Sequence, residues 1–302
     1  MSELPIQVSV CCLAYNHAGY IRECLEGFIC QKTNFAFEVL IHDDASTDDT
    51  QNIIREYEAK YPEIIKPIYQ TENRYQRGLP VQKLNYERAR GKYIALCEGD
   101  DCWIDDNKLQ KQYDFMETHP NYSMCFHRAK CWNVDANSEE HIFDHIEERD
   151  YTGTELLLNW TVPTASAFCR AEYVKEIPYD RDFWAGDIVI WLTMCHFGKV
   201  RALASVMSLY RVSNSGAVLQ MHTNFTEEKL QKHLRHLNAL YRYFPFLPKS
   251  FQKNRMLYYT FLRILYVKDR EGRSAALKRV RRESLWMQIK IILYYLKFRL
   301  TH

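Results

Sequence analysis

The chain has 302 residues, 47% of them hydrophobic and 26% charged, with a formal net charge of +2. That length and apolar content suffice for one large domain or two smaller ones, and the near-neutral balance gives no overall pull toward nucleic acid or membrane. The charge is uneven, however: residues 278–302 carry seven Lys/Arg against the single acid Glu283, which leaves the preceding chain net negative.

The opening MSELPIQVSVCC contains an acid and no basic n-region, unlike a signal peptide. No uninterrupted apolar run reaches the roughly 20 residues that a membrane-spanning helix needs. Ten cysteines without a CxxC pair suit reduced thiols in a cytoplasmic protein. Cys125, His127 and Cys131 match no common zinc spacing and read as core residues.

In chain order, VSVCCLAY (8–15) is β-rich and apolar on both faces, as a buried parallel strand requires. Residues 18–30 place Ile21, Leu25, Phe28 and Ile29 at helical spacing. FEVLIH (37–42) reads as a second strand. STDDTQNIIREYEAKY begins with cap-forming residues, Asp48 among them, and sets Ile53, Ile54 and Tyr57 on one helical face. IIKPIYQ (64–70) predicts a third strand, 83–90 a helix, and KYIALC (92–97) a fourth strand. This β-α-β-α order predicts a parallel, doubly wound sheet.

Such sheets bind ligands at the carboxyl ends of their strands, and three polar clusters fall there. Asn16-His17 follows the first strand, Asp43-Asp44 the second, and Glu98, Asp100 and Asp101 the fourth. Carboxylates that close repel unless water or a cation intervenes. Hard oxygen ligands without a Cys/His set suit Mg²⁺ or Mn²⁺ shared with phosphate. A calcium EF-hand starting at Asp44 fails, because its sixth position is Asp49 instead of Gly and its twelfth is Arg55 instead of Glu. Neither a P-loop nor a dinucleotide fingerprint occurs.

VSVCCLAYN, VLIHDDASTDDT and ARGKYIALCEGDDCW together resemble the ordered signatures of family 2 glycosyltransferases with the GT-A fold, over about residues 6–215. Glu98-Gly99-Asp100 stands in the family's D-x-D place, with Glu for the first Asp. The resemblance implies an α/β, Rossmann-like, mostly parallel sheet flanked by helices. The catalytic domain would be 1–215, with a nucleotide-sugar half (1–130) and an acceptor half (131–215). A helical, basic region, 216–302, would follow.

The implied roles are specific. Tyr15 stacks on uracil and the backbone at Ala14 contacts the base, beside Asn16. Asp44 accepts the uracil N3–H with Asp43 in support, and Glu98 binds the ribose. Asp100 ligates Mn²⁺ or Mg²⁺ on the diphosphate; Asp101 either joins it through water or caps the next turn. Asp187 is the implied general base, in the N-cap place before a helix over 188–197, where the helix terminus would favour its ionised form. Asp180 and Asp182 are the fallback bases. The stretch 159–170 matches a strand that the family runs beside the acceptor cleft, and its Thr164 and Ser166 are expected either to face the acceptor or to pack the sheet. Arg211, in a loop over 207–218, suits a phosphate contact. Many relatives have His where this chain has Ser213, which leaves no assigned protein His ligand; His222 is too remote a substitute.

These implications add up to inverting, metal-dependent transfer of a hexosyl or N-acetylhexosaminyl group from a nucleotide-sugar donor, UDP-linked by resemblance. The acceptor would be a saccharide or lipid-linked saccharide in surface polysaccharide synthesis. A sugar nucleotidyltransferase would need a Gly-rich phosphate loop, which LAYNHAGY is not. A catalytically inactive sugar-nucleotide-binding scaffold would not need Asp187. The tail 278–302 has two readings: an amphipathic anchor on the anionic inner face of the cell membrane, or a helix docked on the catalytic domain or on a second subunit of a homo-oligomer. No nucleic-acid partner is expected.

Overall fold

The computed structural model describes residues 5–158, 161–213, 226–253, 255 and 256. Its first half alternates as the periodicity requires: β1 (Ile6–Ala14), α1 (Ile21–Ile29), β2 (Ala36–Asp43), α2 (Thr50–Lys60), β3 (Ile65–Tyr69), α3 (Val81–Arg88) and β4 (Tyr93–Glu98). On α1, Ile21, Cys24, Leu25 and Phe28 are all buried, the i, i+3, i+4, i+7 stripe of a helix laid on a sheet. They pack with Val8, Val10, Cys12, Val39 and Ile41 of β1 and β2, and each large side chain so buried contributes about 1.5–3 kcal/mol.

The chain continues through β5 (Cys102–Trp103), α4 (Lys108–Thr118), β6 (Tyr122–Asn133), β7 (Ser138–Glu140), β8 (Asp150–Tyr151) and α5 (Gly153–Leu158). It goes on through β9 (Phe168–Arg170), α6 (Ala171–Val174), α7 (Gly186–Phe197) and β10 (Lys199–Val212). The main strand order is β3-β2-β1-β4-β9-β6-β10-β5. β1 runs parallel to both β2 and β4, and β3 runs parallel to β2. β10 is parallel to β6.

The sheet is therefore α/β and mostly parallel, with helices between its strands, but three expectations need correction. The sheet is mixed: β9 is antiparallel to both of its neighbours, β4 and β6. Among the described residues of 161–170 only Phe168–Arg170 is a strand, because Pro163 cannot donate to a ladder and Thr164–Ser166 close a 3₁₀ turn. Met207–Val212 is not loop but the end of β10, with Ser208, Tyr210 and Val212 buried and Leu209 and Arg211 less so. That alternation is the strand period.

Chain order outward from β1 runs through β2 to β3 on one side and through β4 on the other. The switch point therefore lies at the carboxyl ends of β1 and β4, where an open α/β sheet takes its ligand.

The described residues fall into two compact units. One runs to Tyr179 and resumes over Asp187–Ser213; the other joins Asp180–Gly186 to the residues after 213. The expected boundary at 215/216 lies outside the described residues, and the excursion of Asp180–Gly186 into the second unit was not expected. That unit holds α8 (Glu227–Tyr243), whose N-cap Thr226 accepts from Lys229 N. Asp180 pairs there with Arg242 at 3.0 Å, and Asp182 with Arg235 at 3.8 Å. Both fallback bases are thus held by arginines of α8. His222, residues 214–218 and the tail 278–302 lie outside the described residues.

Candidate active site

The rim at the ends of β1 and β2 is built on two strained residues. Asn16 and Ala45 adopt φ of 56° and 61°, a left-handed conformation that costs a non-glycine residue about 1 kcal/mol or more and collects at functional sites. Cross-links hold them: Asn16 N donates to Ser46 Oγ at 2.9 Å, and Thr47 N donates to Asn16 Oδ1 at 2.8 Å. Ala14 is buried and its carbonyl accepts from Asp44 N at 2.9 Å. Tyr15 stands 37% exposed, an open ring at the rim and not a core aromatic.

The two aspartates at the carboxyl end of β2, Asp43 its last residue and Asp44 the next, divide their work. Asp43 is fully buried and accepts from Ser46 N at 3.1 Å, Ser46 Oγ at 2.5 Å and Gln51 Nε2 at 2.6 Å. It shapes the turn. Asp44 accepts from the backbone N–H groups of Arg74 and Tyr75, both at 2.9 Å, and lies 3.3 Å from His42 Nε2. That ties the loop after β3 to the rim and leaves one lone pair of Asp44 Oδ2 for a further donor. Asp48, expected as a cap, accepts from Thr50 N at 3.0 Å and from Ala18 N at 3.0 Å.

After β4, Gly99 N donates to Leu13 O at 2.8 Å. A Cβ on Gly99 would come within 2.9 Å of both His17 Nδ1 and Ile21 Cδ1, so any side chain there would have to displace both neighbours. Asp100 keeps its side chain 39% exposed, with His17 Nε2 at 3.8 Å. Asp101 is the opposite, 1% exposed. Its Oδ1 accepts from Arg211 N at 2.8 Å, while its Oδ2 is buried without a hydrogen-bond partner.

Glu98 and Asp187 line one cleft with Leu13, Gln82, Asn85 and Thr164. Both are half-buried. Desolvation pushes the Glu98 carboxyl well above the usual range, and the negative charges of Asp187, Asp100 and Asp101 add to it. Asp101 is raised by burial and then by Asp100. Burial also raises Asp187, against a hydrogen bond from Thr164 Oγ1 at 3.3 Å that favours its ionised form. Asp187 is not an N-cap: α7 begins at Gly186. Burial moves its pKa up, opposite to the direction expected at a helix terminus, and its carboxylate is the stronger base when ionised.

Two further expectations shift. Ser166 is fully buried and donates to Pro163 O at 2.6 Å, so it packs the turn and does not face an acceptor. Arg211 sits on β10 with its guanidinium ion-paired to Glu23 and donating to Asp100 O at 2.7 Å. It lies beside the acidic turn already engaged.

The residues suit a divalent cation in one particular way. The buried, partnerless Asp101 oxygen and the mutually raised acids show negative charge in excess of its local compensation. Yet no group of three His, Cys, Asp or Glu among the described residues is arranged to hold a metal. The fit is to a cation held by the accessible Asp100 and completed by diphosphate oxygens and water, the usual habit of Mg²⁺. Asp101, buried and tied to β10, is a support of the turn more than a ligand.

Sequence reasoning named His17 without a role and missed Glu23 and Asn85. Asn85, fully buried on α3, donates to Cys12 O at 3.0 Å and Leu40 O at 2.9 Å. An amide between the apolar Leu84 and Tyr86 was the available signal. Nothing local marks Glu23, whose partner lies 188 residues away.

The family described as Glycosyl transferase family 2 matches residues 9–176. An uncharacterized protein of Mycobacterium tuberculosis is 35% identical over 227 residues, covering 74% of this chain and 62% of that protein. The chain thus spans less than two thirds of the length of this curated relative. The Escherichia coli UDP-Glc:alpha-D-GlcNAc-diphosphoundecaprenol beta-1,3-glucosyltransferase WfaP is 35% identical over 112 residues, 37% of this chain and 41% of WfaP. The crystal structure of S. aureus TarS 1-349 in complex with UDP-GlcNAc matches with a TM-score of 0.62 at 16% identity, covering 94% of this chain and 78% of that one. At that identity the likeness shows the fold, which is GT-A.

Proposed function

This chain belongs to glycosyl transferase family 2, and we propose that it moves a hexosyl or N-acetylhexosaminyl group, with inversion, from a UDP-sugar to a hydroxyl of a surface or lipid-linked saccharide. The observation that carries this reading is the cleft shared by Glu98 and Asp187 at the switch point of the sheet. It joins a donor rim to a carboxylate whose raised pKa suits a base. WfaP, by its name, uses UDP-Glc and a diphosphoundecaprenol-linked acceptor, and TarS was crystallised with UDP-GlcNAc. Both favour a UDP donor here, and WfaP favours a lipid-linked saccharide acceptor.

In this mechanism the exposed Tyr15 ring stacks on the base, Asp44 meets its edge, and Glu98 holds the ribose. Asp100 would hold Mg²⁺ or Mn²⁺, which when bound neutralises the diphosphate that leaves as the sugar–phosphate bond breaks. Asp187 takes the proton from the acceptor hydroxyl as that oxygen attacks the sugar carbon from the face opposite the diphosphate. One displacement inverts the anomeric centre. Arg211, beside Asp100, adds positive charge to the same corner when it exchanges Glu23 for phosphate. No helix among the described residues is long and apolar enough to cross a membrane.

The test is nucleotide release by the full chain from UDP-Glc, UDP-GlcNAc and GDP-mannose with Mn²⁺. UDP release from a UDP-sugar, lost with EDTA and in Asp100→Asn, is expected. Release from GDP-mannose alone would replace the donor. Pyrophosphate release from UTP and a sugar 1-phosphate would point to a nucleotidyltransferase. Binding of UDP without any turnover would leave a scaffold.

A further inference from the structure

A lysine with no solvent exposure is an expensive core residue, because burying its ammonium costs several kcal/mol unless partners compensate. Lys108, in the first turn of α4, is such a residue. Its Nζ donates to Gln112 Oε1 at 2.7 Å and lies 4.0 Å from the centre of the Trp103 ring. Burial draws it down to about 7; the neutral amine and the ammonium alike donate to Gln112, so the contact survives in either form.

Both of its partners reach one place. Trp103 Nε1 donates to Ala165 O at 2.9 Å, and Gln112 Nε2 donates to Ser166 O at 2.9 Å. Because Lys108 takes the Gln112 oxygen, the amide nitrogen must face Ser166. Two consecutive carbonyls of the Thr164–Ser166 turn are thus gripped from beneath, and Ser166 Oγ closes the turn on Pro163 O. The free end of the turn is Thr164, whose hydroxyl donates to Asp187 Oδ2 at 3.3 Å.

We propose that Lys108, Trp103, Gln112 and Thr164 form a positioning relay for Asp187: the buried lysine fixes the Trp103 ring and the Gln112 amide, these fix the 164–166 turn, and Thr164 orients the carboxylate that takes the acceptor proton. The inference rests on the proposed role of Asp187. A hydrogen bond to a charged group is worth enough to set both the orientation and the ionisation of a half-buried carboxylate. Without it, Asp187 is left to Glu98 and to the phenols of Tyr86 and Tyr210, the groups whose fields it shares, none of which supplies a compensating positive charge.

The test uses the full chain with Thr164→Val, Thr164→Ser, Lys108→Met and the Thr164→Val/Lys108→Met pair. With whichever of UDP-Glc or UDP-GlcNAc the parent turns over, Thr164→Val should lower kcat about 10- to 100-fold, the range for losing a hydrogen bond to a charged group. KM for the donor should stay within about twofold, and Thr164→Ser should restore turnover. The double variant should be no slower than the slower single one, since members of one relay are not additive. Independently of turnover, a carboxyl ¹³C NMR titration should show the Asp187 pKa moving up in Thr164→Val and Lys108→Met but not in Thr164→Ser. A parent-like kcat and Asp187 titration in Thr164→Val would overturn the relay. Full additivity would remove Lys108 from it. If Lys108→Met does not fold, the Thr164 pair still decides the last step. Should Asp187→Asn itself retain turnover, the base assignment fails, whereas a dead Asp187→Asn beside an active Thr164→Val sinks the relay alone.

Discussion

The backbone N–H of Arg211 donates to Asp101 Oδ1 at 2.8 Å across 110 residues of chain, pinning the acidic turn after β4 to the end of β10. The neighbouring Asp100 keeps its carboxylate in the open. Two adjacent aspartates of one motif therefore do different work. Asp101→Asn retains the accepting oxygen and removes a buried charge, so its thermal midpoint should stay at or above that of the parent. Asp100→Asn should fold as the parent does and lose Mn²⁺-dependent UDP binding. Thermal scans paired with calorimetric titration of UDP distinguish the two; loss of metal-dependent binding in both variants would return Asp101 to the ligand set.

Crowded acids tax stability. Glu98, Asp101 and Asp187 all have folded pKa values above the ordinary 4.5 and 3.8, so over the window above those values the folded chain binds more protons than the unfolded one. Stability from these groups is present at low pH and falls as pH rises through their raised values. Glu38, Asp48 and Asp150, held below the ordinary range by Arg90, Thr50 and Tyr122 among other partners, act oppositely and lose their contribution as pH falls through their lowered values. Glu98→Gln should therefore raise Tm at pH 7.5 by about 2–4 °C, the shift for about 1 kcal/mol in a domain of this size, and change it little at pH 4. A lower Tm at pH 7.5 would mean that Glu98 is compensated in the free protein.

Removing the Asp187 carboxylate should spare donor binding. Asp187→Asn is expected to cut turnover by about 10²–10⁴, the range for loss of a general base, with the dissociation constant for UDP unchanged. In the parent, kcat should fall as pH drops through a raised Asp187 pKa, so the acid limb lies above the ordinary aspartate value of 3.8. Collapse of UDP affinity with turnover intact would move Asp187 into the donor site.

Gly99 tolerates no side chain without movement of its neighbours. An alanine Cβ would meet His17 Nδ1 and Ile21 Cδ1 at 2.9 Å and Leu13 O at 3.2 Å, so both side-chain ends must swing aside and the β1 carbonyl must shift slightly. Gly99→Ala should cost about 1–3 kcal/mol of stability, as overpacking does, and weaken UDP binding by lifting Asp100. A denaturant midpoint and UDP affinity equal to the parent's would show that the turn has room to move.

Much of this was local and therefore legible. The apolar run of β1, the stripe of α1 and the acids at the ends of β2 and β4 are patterns of neighbours in the chain, and they placed four parallel strands with an acidic rim at their carboxyl ends. The family signatures lie in those same stretches. They put Tyr15, Asn16, Asp44, Glu98 and Asp100 at one end of the sheet, where the fold brings them together.

What the sequence by itself determined is where each functional side chain sits on its own element, because strand and helix periods fix that within a few residues. Only the tertiary structure decided who meets whom and at what charge. The antiparallel insertion of β9, the grip of Trp103 and Gln112 on the 164–166 turn, and the engagement of Arg211 by Glu23 and Asp101 join residues 43 to 188 positions apart. No periodicity records such separations. The reversal at Asp187 has the same origin: a helix terminus acts through a local dipole, whereas the protein surrounding the cleft removes water, and that desolvation raises the carboxyl.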